Sequence, residues 1–238
     1  MWTAHTLKAF QDNFIFVLEG PDRQCAAVDP GDSAPVFSFL AERKLSLTHI
    51  LCTHHHADHI GGVAELKAAF GCAVFASDFD QKRIDPSAEV VGESKPLKLW
   101  GKTVAVLDVP GHTLGHIAYY FTAEKAVFVG DTLFSAGCGR LFEGTAEQMF
   151  ASLQKLKALP LDTQIFCAHE YTLRNLEFVL AKVPSPEAAQ YRAECERKLA
   201  SGQNTIPSSL AQELKINPFL TATSVREFAN LRRARNAW

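Results

Sequence analysis

Seven side chains in this sequence are of a type and spacing that can hold and use metal ions. Four of them, His54, His56, Asp58 and His59, fall within Thr53-His54-His55-His56-Ala57-Asp58-His59. His54 and His56 stand at i and i+2, which in an extended segment sends both side chains to the same side, so both can reach one ion. His55 points the other way and is expected outside the coordination. Asp58 and His59 follow where the chain begins to turn into a helix. Adjacent side chains diverge there, and these two could supply a second ion nearby. His112, Asp131 and His169 each come just after an expected strand, in the loops where an α/β scaffold gathers functional groups. Five histidines and two aspartates are more than one tetrahedral zinc ion can use. They fit two ions bridged by a carboxylate, with water or hydroxide between them.

The chemistry implied is hydrolysis. Two cations lower the pKa of a bridging water, so hydroxide is available near neutral pH to attack a carbonyl carbon. Asp58 could hold that hydroxide in line, and a thiolate would leave easily. No serine or cysteine nucleophile is needed, and Cys52 and Cys138 read as small packing residues. His5 and His49 read as ordinary surface or core histidines. His55 and His116 read as supports for their neighbours. Asp29, in Val28-Asp29-Pro30-Gly31, reads as a turn former or as an acceptor behind a ligand.

The elements that must position these residues follow from periodicity. Strands are expected at 5–10, 13–19, 25–28, 47–52, 72–76, 117–121, 126–129 and 165–168. A strand-rich stretch over 97–109 should turn at Gly101-Lys102. Helices are expected over 34–44, with Ser33 as N-cap, from His59 to Phe70, and over 145–159, where Thr145 and Gln148 have capping-box spacing. This alternation argues α/β. From Leu173 onward only helical patterns follow, over 173–183, 185–199, 208–214 and 225–235. Residues 1–170 are therefore expected to form a mixed metal-binding catalytic domain, and 171–238 an all-α C-terminal substrate-binding domain.

Bulk properties narrow the class. With 238 residues, 47% of them hydrophobic, the chain can bury a sizeable core. A net charge of −2 from 24 basic and 26 acidic residues points neither to nucleic acid nor to a membrane surface. No apolar run is long enough to span a bilayer, and no secretory pattern opens the sequence. Six scattered cysteines without a CxxC pair suit reduced thiols in a cytoplasmic protein. No apolar stripe asks for a partner, so a monomer is expected.

The motifs together resemble a known family. Thr53-His54-His55-His56-Ala57-Asp58-His59 matches the signature of the metallo-β-lactamase superfamily. Pro110-Gly111-His112-Thr113-Leu114-Gly115-His116, Gly130-Asp131-Thr132-Leu133-Phe134 and His169-Glu170-Tyr171-Thr172 resemble one branch of it, glyoxalase II (hydroxyacylglutathione hydrolase). The resemblance runs from Gln11-Asp12-Asn13 through Gly137-Cys138-Gly139-Arg140 and Asn217-Pro218-Phe219-Leu220 to the basic end. It implies a four-layer αββα sandwich with a helical C-terminal domain. It implies one metal held by His54, His56 and His112 and a second held by Asp58, His59 and His169, with Asp131 bridging. Zinc is the expected metal, with iron or manganese as alternatives. The implied substrate is S-D-lactoylglutathione, cleaved to D-lactate and glutathione in methylglyoxal detoxification. Arg140, Tyr171, Arg232 and Arg235 would bind the glycine carboxylate of glutathione, arginine offering a bidentate contact. Phe142 stands where many members carry a tyrosine, Asn236 where Asp is usual, and Thr221 where arginine is frequent. A lactonase, a β-lactamase, a one-iron glutathione-persulfide dioxygenase or a nuclease would use the same fold. The near-neutral charge speaks against the nuclease.

Overall fold

A computed structural model describes residues 2–238. The chain divides into two compact units. The first holds the chain up to Asp108 together with Gly115–Glu124, and the second holds Val109–Leu114 and Lys125–Trp238.

In the first unit β1 (Thr3–Ala9), β2 (Asn13–Glu19) and β3 (Gln24–Val28) run antiparallel to one another, and β4 (Ser46–Leu51), β5 (Ala73–Ala76) and β6 (Glu89–Val90) continue the sheet in parallel. Antiparallel steps need only turns, whereas parallel steps need crossovers. The crossovers are α1 (Ser33–Arg43), then α2 (Ala57–Ile60) with α3 (Val63–Phe70), then α4 (Gln81–Ile84). Val17, Val36, Leu40, Ile50 and Leu66 are buried together between sheet and helices. Each such side chain contributes roughly 1.5–3 kcal/mol. β7 (Leu97–Leu99), β8 (Lys102–Asp108) and β9 (Ile117–Phe121) are antiparallel neighbours.

Three local expectations are corrected here. The N-cap of α1 is Asp32, whose Oδ1 accepts from Ala34 N at 3.0 Å; Ser33 is the first helical residue, and its hydroxyl bonds Glu65 instead. The β7–β8 hairpin turns at Trp100-Gly101, both at positive φ (47° and 74°), as a two-residue hairpin loop demands. The helix expected from His59 to Phe70 is two helices, broken at Gly61-Gly62. A Cβ on Gly62 would lie 2.6 Å from Ser33 N, and Gly62 N donates to Pro30 O at 2.9 Å. The break lets the histidine loop press directly on the backbone that leaves β3.

In the second unit β10 (Ala126–Gly130) pairs in parallel with β13 (Gln164–Cys167), and β11 (Leu133–Phe134) forms a small hairpin with β12 (Gly137–Cys138). α5 (Ala146–Lys157) begins with the expected capping box of Thr145 and Gln148. α6 (Thr172–Lys182) and α7 (Pro186–Ala200) enclose Leu176, Val179, Ala188, Tyr191 and Cys195, joined by Ile216. Ser208 and Ser209 were expected to open a helix. They form instead a two-residue strand, β14, antiparallel to β13, and Ser209 caps α8 (Leu210–Ile216) by accepting from Gln212 N. Serine favours such cap positions because its hydroxyl competes with the helix for backbone donors. α9 (Pro218–Thr221) and α10 (Val225–Asn236) complete the unit and pack with α5. Position 170/171 therefore falls inside one compact unit. Among the described residues no helix is long and apolar enough to cross a membrane.

Candidate metal centre

The first unit supplies four of the seven expected ligands. His54 and His59 are buried, His56 is partly buried, and the Asp58 side chain is 43% exposed. His54 Nδ1 lies 3.1 Å from Thr53 Oγ1, and its Nε2 lies 3.1 Å from His56 Nδ1. Two imidazole nitrogens thus face each other, as i and i+2 in an extended segment allow. His55 turns elsewhere, with Nδ1 3.1 Å from Asp80 Oδ1 and Nε2 3.2 Å from Arg83 Nη1. His116 lies nearly parallel to the His54 ring, with centroids 4.6 Å apart.

Asp29, Asp58 and Asn13 fix this loop. Asp29 Oδ1 accepts from Thr53 N at 2.7 Å, and Oδ2 accepts from Thr53 Oγ1 at 2.6 Å and lies 3.0 Å from His59 Nδ1. Three donors already occupy Asp29, which places it to act through His59. It holds the proton on Nδ1 and leaves Nε2 to coordinate. Asp29 has φ +48°, a conformation uncommon outside glycine that aspartate tolerates better than most residues. Asn13 Nδ2 donates to Asp58 Oδ2 at 2.9 Å and to Asp58 O at 3.3 Å. Sequence reasoning assigned Asn13 no such part. It starts β2, and no local signal says which distant carboxylate it will meet.

The second unit supplies His112, Asp131 and His169, all buried. Each follows a backbone stretch that leaves little freedom. His112 O accepts from Phe142 N and Glu143 N, and Leu114 N donates to the Glu143 carboxylate. A Cβ on Gly139 would stand 1.9 Å from Asp131 O and 3.1 Å from His112 Nδ1, so the chain can pass there only as glycine. His112 Nδ1 is 2.8 Å from Arg140 O. A carbonyl only accepts, so Nδ1 carries a proton, and in the neutral ring Nε2 is the nitrogen left to coordinate. That Nε2 lies 3.4 Å from Asp131 Oδ2, and His169 Nε2 lies 3.3 Å from Asp131 Oδ1. The two oxygens of one carboxylate each face a different imidazole. This is the donor geometry of a carboxylate shared by two cations.

A cleft of about 270 Å³ opens in this unit, lined by His112, Asp131, Phe142, Tyr171 and the arginines 140, 174, 232 and 235. Tyr171 stacks on His169, with centroids 4.8 Å apart at 6°. Phe142 meets His112 edge-on and is 63% exposed. Arg232 is buried. Its Nη1 donates to Cys138 O at 2.7 Å, its Nε donates to Asn236 Oδ1 at 3.0 Å, and it lies over the Phe219 ring. Asn236 thus supplies the acceptor for Arg232. Thr221 turns its hydroxyl back to Asn217 O. Arg235 is half-buried, with Nη2 3.3 Å from Asn175 Oδ1. Arg174, not foreseen as a site residue, carries a signal readable in the sequence: it is basic and sits in the first turn of a helix.

Burial pushes the Cys52 and Cys138 thiols up, that of Cys138 despite Arg232 beside it. Neither is a thiolate near neutral pH, in keeping with packing rather than nucleophilic roles.

Comparisons with known proteins give the family. The sequence model of the metallo-beta-lactamase superfamily matches residues 10–169, and that of the hydroxyacylglutathione hydrolase C-terminus matches 170–238. A hydroxyacylglutathione hydrolase of Photobacterium profundum is 48% identical over 92% of this chain and 86% of its own. One from Vibrio parahaemolyticus is 46% identical over 94% of this chain and 90% of its own. The crystal structure of ETHE1 from Myxococcus xanthus shares the fold, with a TM-score of 0.73 at 24% identity over 98% of this chain and 90% of that one. The α/β fold with its helical C-terminal part is that of the metallo-β-lactamases. With relatives this similar along nearly its whole length, the chain belongs to the hydroxyacylglutathione hydrolase family of the metallo-β-lactamase superfamily.

Proposed function

We propose that this protein hydrolyses the thioester of S-D-lactoylglutathione to D-lactate and glutathione, the second step of methylglyoxal detoxification. The observation that carries the reading is the Asp131 carboxylate. Its two oxygens face His112 and His169 in a cleft whose other charged groups are arginines. A lone pair facing a carboxylate oxygen is unfavourable unless a cation lies with them, so the donor set fits metal. By family resemblance His54, His56 and His112 would hold one ion and Asp58, His59 and His169 the other, with Asp131 available to both. Zinc suits these nitrogen and oxygen donors, and iron or manganese would suit them too.

When bound, a divalent pair supplies an acidified water and Lewis acidity for the carbonyl oxygen. The residues of the chain do the rest. Asp29 keeps the His59 proton on Nδ1, and the Arg140 carbonyl does the same for His112. Asn13 holds the Asp58 carboxylate, so that its remaining lone pairs can orient a nucleophilic water. Arg140 and Arg235 present guanidinium groups to the glycine carboxylate, with Tyr171 beside them. Arg232 holds the backbone at Cys138 from below and adds its remaining donor. The product thiolate is a weak base and needs no dedicated acid. We further propose that the protein acts as a cytoplasmic monomer on small-molecule thioesters, without nucleic-acid or membrane partners.

Elemental analysis and thioester turnover on one preparation test this. The expected result is two ions per chain, hydrolysis of S-D-lactoylglutathione, and loss of both with a chelator. A metal-loaded preparation that turns over no thioester would overturn the proposal. A single iron with oxygen consumption would replace it with the dioxygenase.

A further inference from the structure

We infer that Arg174 is a specificity-determining residue that binds a carboxylate of the thiol half of the substrate, an inference that rests on the hydrolase reading above. Arg174 lies in the first turn of α6, which contains no acidic residue and whose N-cap, Tyr171, makes no side-chain cap bond. A helix N-terminus carries partial positive charge, so a cation is disfavoured there. Arg174 is exposed and shares its cleft with Arg140, Arg232 and Arg235. Among the described residues none of these four arginines is paired with a carboxylate. The crowding is felt: burial first, then Arg232, Arg174 and Arg140, draw Arg235 below the usual arginine range.

Macrodipole and like charges therefore both oppose an arginine at position 174, and no internal partner offsets them. A side chain placed against its local electrostatics, and lining a cleft, matches an anion brought by the ligand. The cleft fits such an anion in a second way. Arg232 has two donor atoms committed to Cys138 O and Asn236 Oδ1, and Arg235 has one engaged with Asn175 Oδ1. Phe142 offers no hydroxyl. Arg174 makes none of these internal bonds and has its full fork for the ligand. The glutathionyl group carries two carboxylates, on glycine and on the γ-glutamyl residue, and either one supplies the chemistry Arg174 would recognise.

The test compares the wild type with Arg174→Gln on three thioesters: S-D-lactoylglutathione, the same compound with its glycine carboxylate esterified, and S-D-lactoyl-N-acetylcysteinylglycine, which lacks the γ-glutamyl residue and whose blocked amine cannot take the acyl group from sulfur. Glutathione binding by titration calorimetry and thermal melting accompany the kinetics. R174Q is expected to raise KM, and Kd for glutathione, about five- to tenfold with kcat within about twofold, the size of one exposed charge-assisted contact. The same variant should melt about 1–2 °C higher, because a cation leaves the helix N-terminus. The KM penalty should vanish on one truncated substrate, and which one names the carboxylate. Unchanged KM and Kd would overturn the inference, and so would an equal penalty on all three thioesters. If the wild type turns over none of them while R174Q still weakens glutathione binding, only the hydrolase reading falls. If the wild type is active and R174Q is neutral, only this inference falls.

Discussion

Asp29 in the first unit and Asp131 in the second are both carboxylates buried beside histidine, at 3% and 7% exposure. Asp29 faces hydrogens: the Thr53 amide, the Thr53 hydroxyl and the His59 Nδ1 proton. Its charge is satisfied by the fold itself. Asp131 faces nitrogens, His112 Nε2 and His169 Nε2, and the Nδ1 proton of His112 is held by Arg140 O. Its two oxygens face groups that could hold a cation together with it. The difference separates a carboxylate that positions a histidine from one placed where it could share a cation, and residue type alone does not reveal it. Glu213 in the second unit is a third case. It is fully buried, faces neutral donors (Ala136 N, Asn217 Nδ2 and the Ser208 and Ser135 side chains), and burial raises its pKa above the ordinary 4.5.

Substitutions that blur these distinctions should have graded effects. Asp131→Asn removes the shared charge while keeping the shape. Activity should fall about 10³-fold or more, since charge stabilisation of several kcal/mol is lost at about 1.4 kcal/mol per decade. Metal content measured on the variant should drop below that of the wild type, and full retention would contradict a bridging role. Asp29→Asn should weaken metal binding by roughly 10–100-fold, as for other residues that orient a ligand. A competition titration with a chromogenic chelator reads this. An effect as large as that of D131N would mean that Asp29 itself coordinates.

Glu213→Gln should show the smallest effect, and one that depends on pH. A carboxyl whose folded pKa is raised binds its proton more tightly when folded. It therefore contributes stability below the ordinary value near 4.5 and loses it as pH rises through the folded value. The amide does not titrate, so the stability of E213Q relative to wild type should improve as pH rises from about 4.5. Urea unfolding of both proteins across that window checks the sign, and a constant difference would show that Glu213 keeps its ordinary acidity.

The arginine cleft teaches a related lesson. His112 and His169 are fixed by backbone contacts and ring stacking, whereas Arg140 and Arg174 are exposed at the cleft. Chemistry needs rigid donors, and recognition of a carboxylate tolerates longer, freer ones. Arg232 departs furthest from this, because its guanidinium is buried and holds the Cys138 carbonyl, and Arg235, half-buried against Asn175, lies between.

Much of this was legible in residues. Asn13–Glu19 is a strand because its apolar run is bounded by turn residues. The α5 cap follows from Thr145 and Gln148. The histidine loop announces itself because His54 and His56 need only an extended backbone to converge. These are short-range matters, determined by the sequence by itself through periodicity, capping and the alternation of side chains along a strand. The tertiary structure alone decided that Gly61-Gly62 breaks a helix so that the loop can press on Pro30 and Gly31, that Asn13 holds Asp58, and that Arg174 lines the same cleft as Arg140, Arg232 and Arg235. Each of those depends on where a distant backbone passes. Hydrogen bonds and like charges act through space, and no pattern along the chain encodes which groups the fold will bring within a few ångströms.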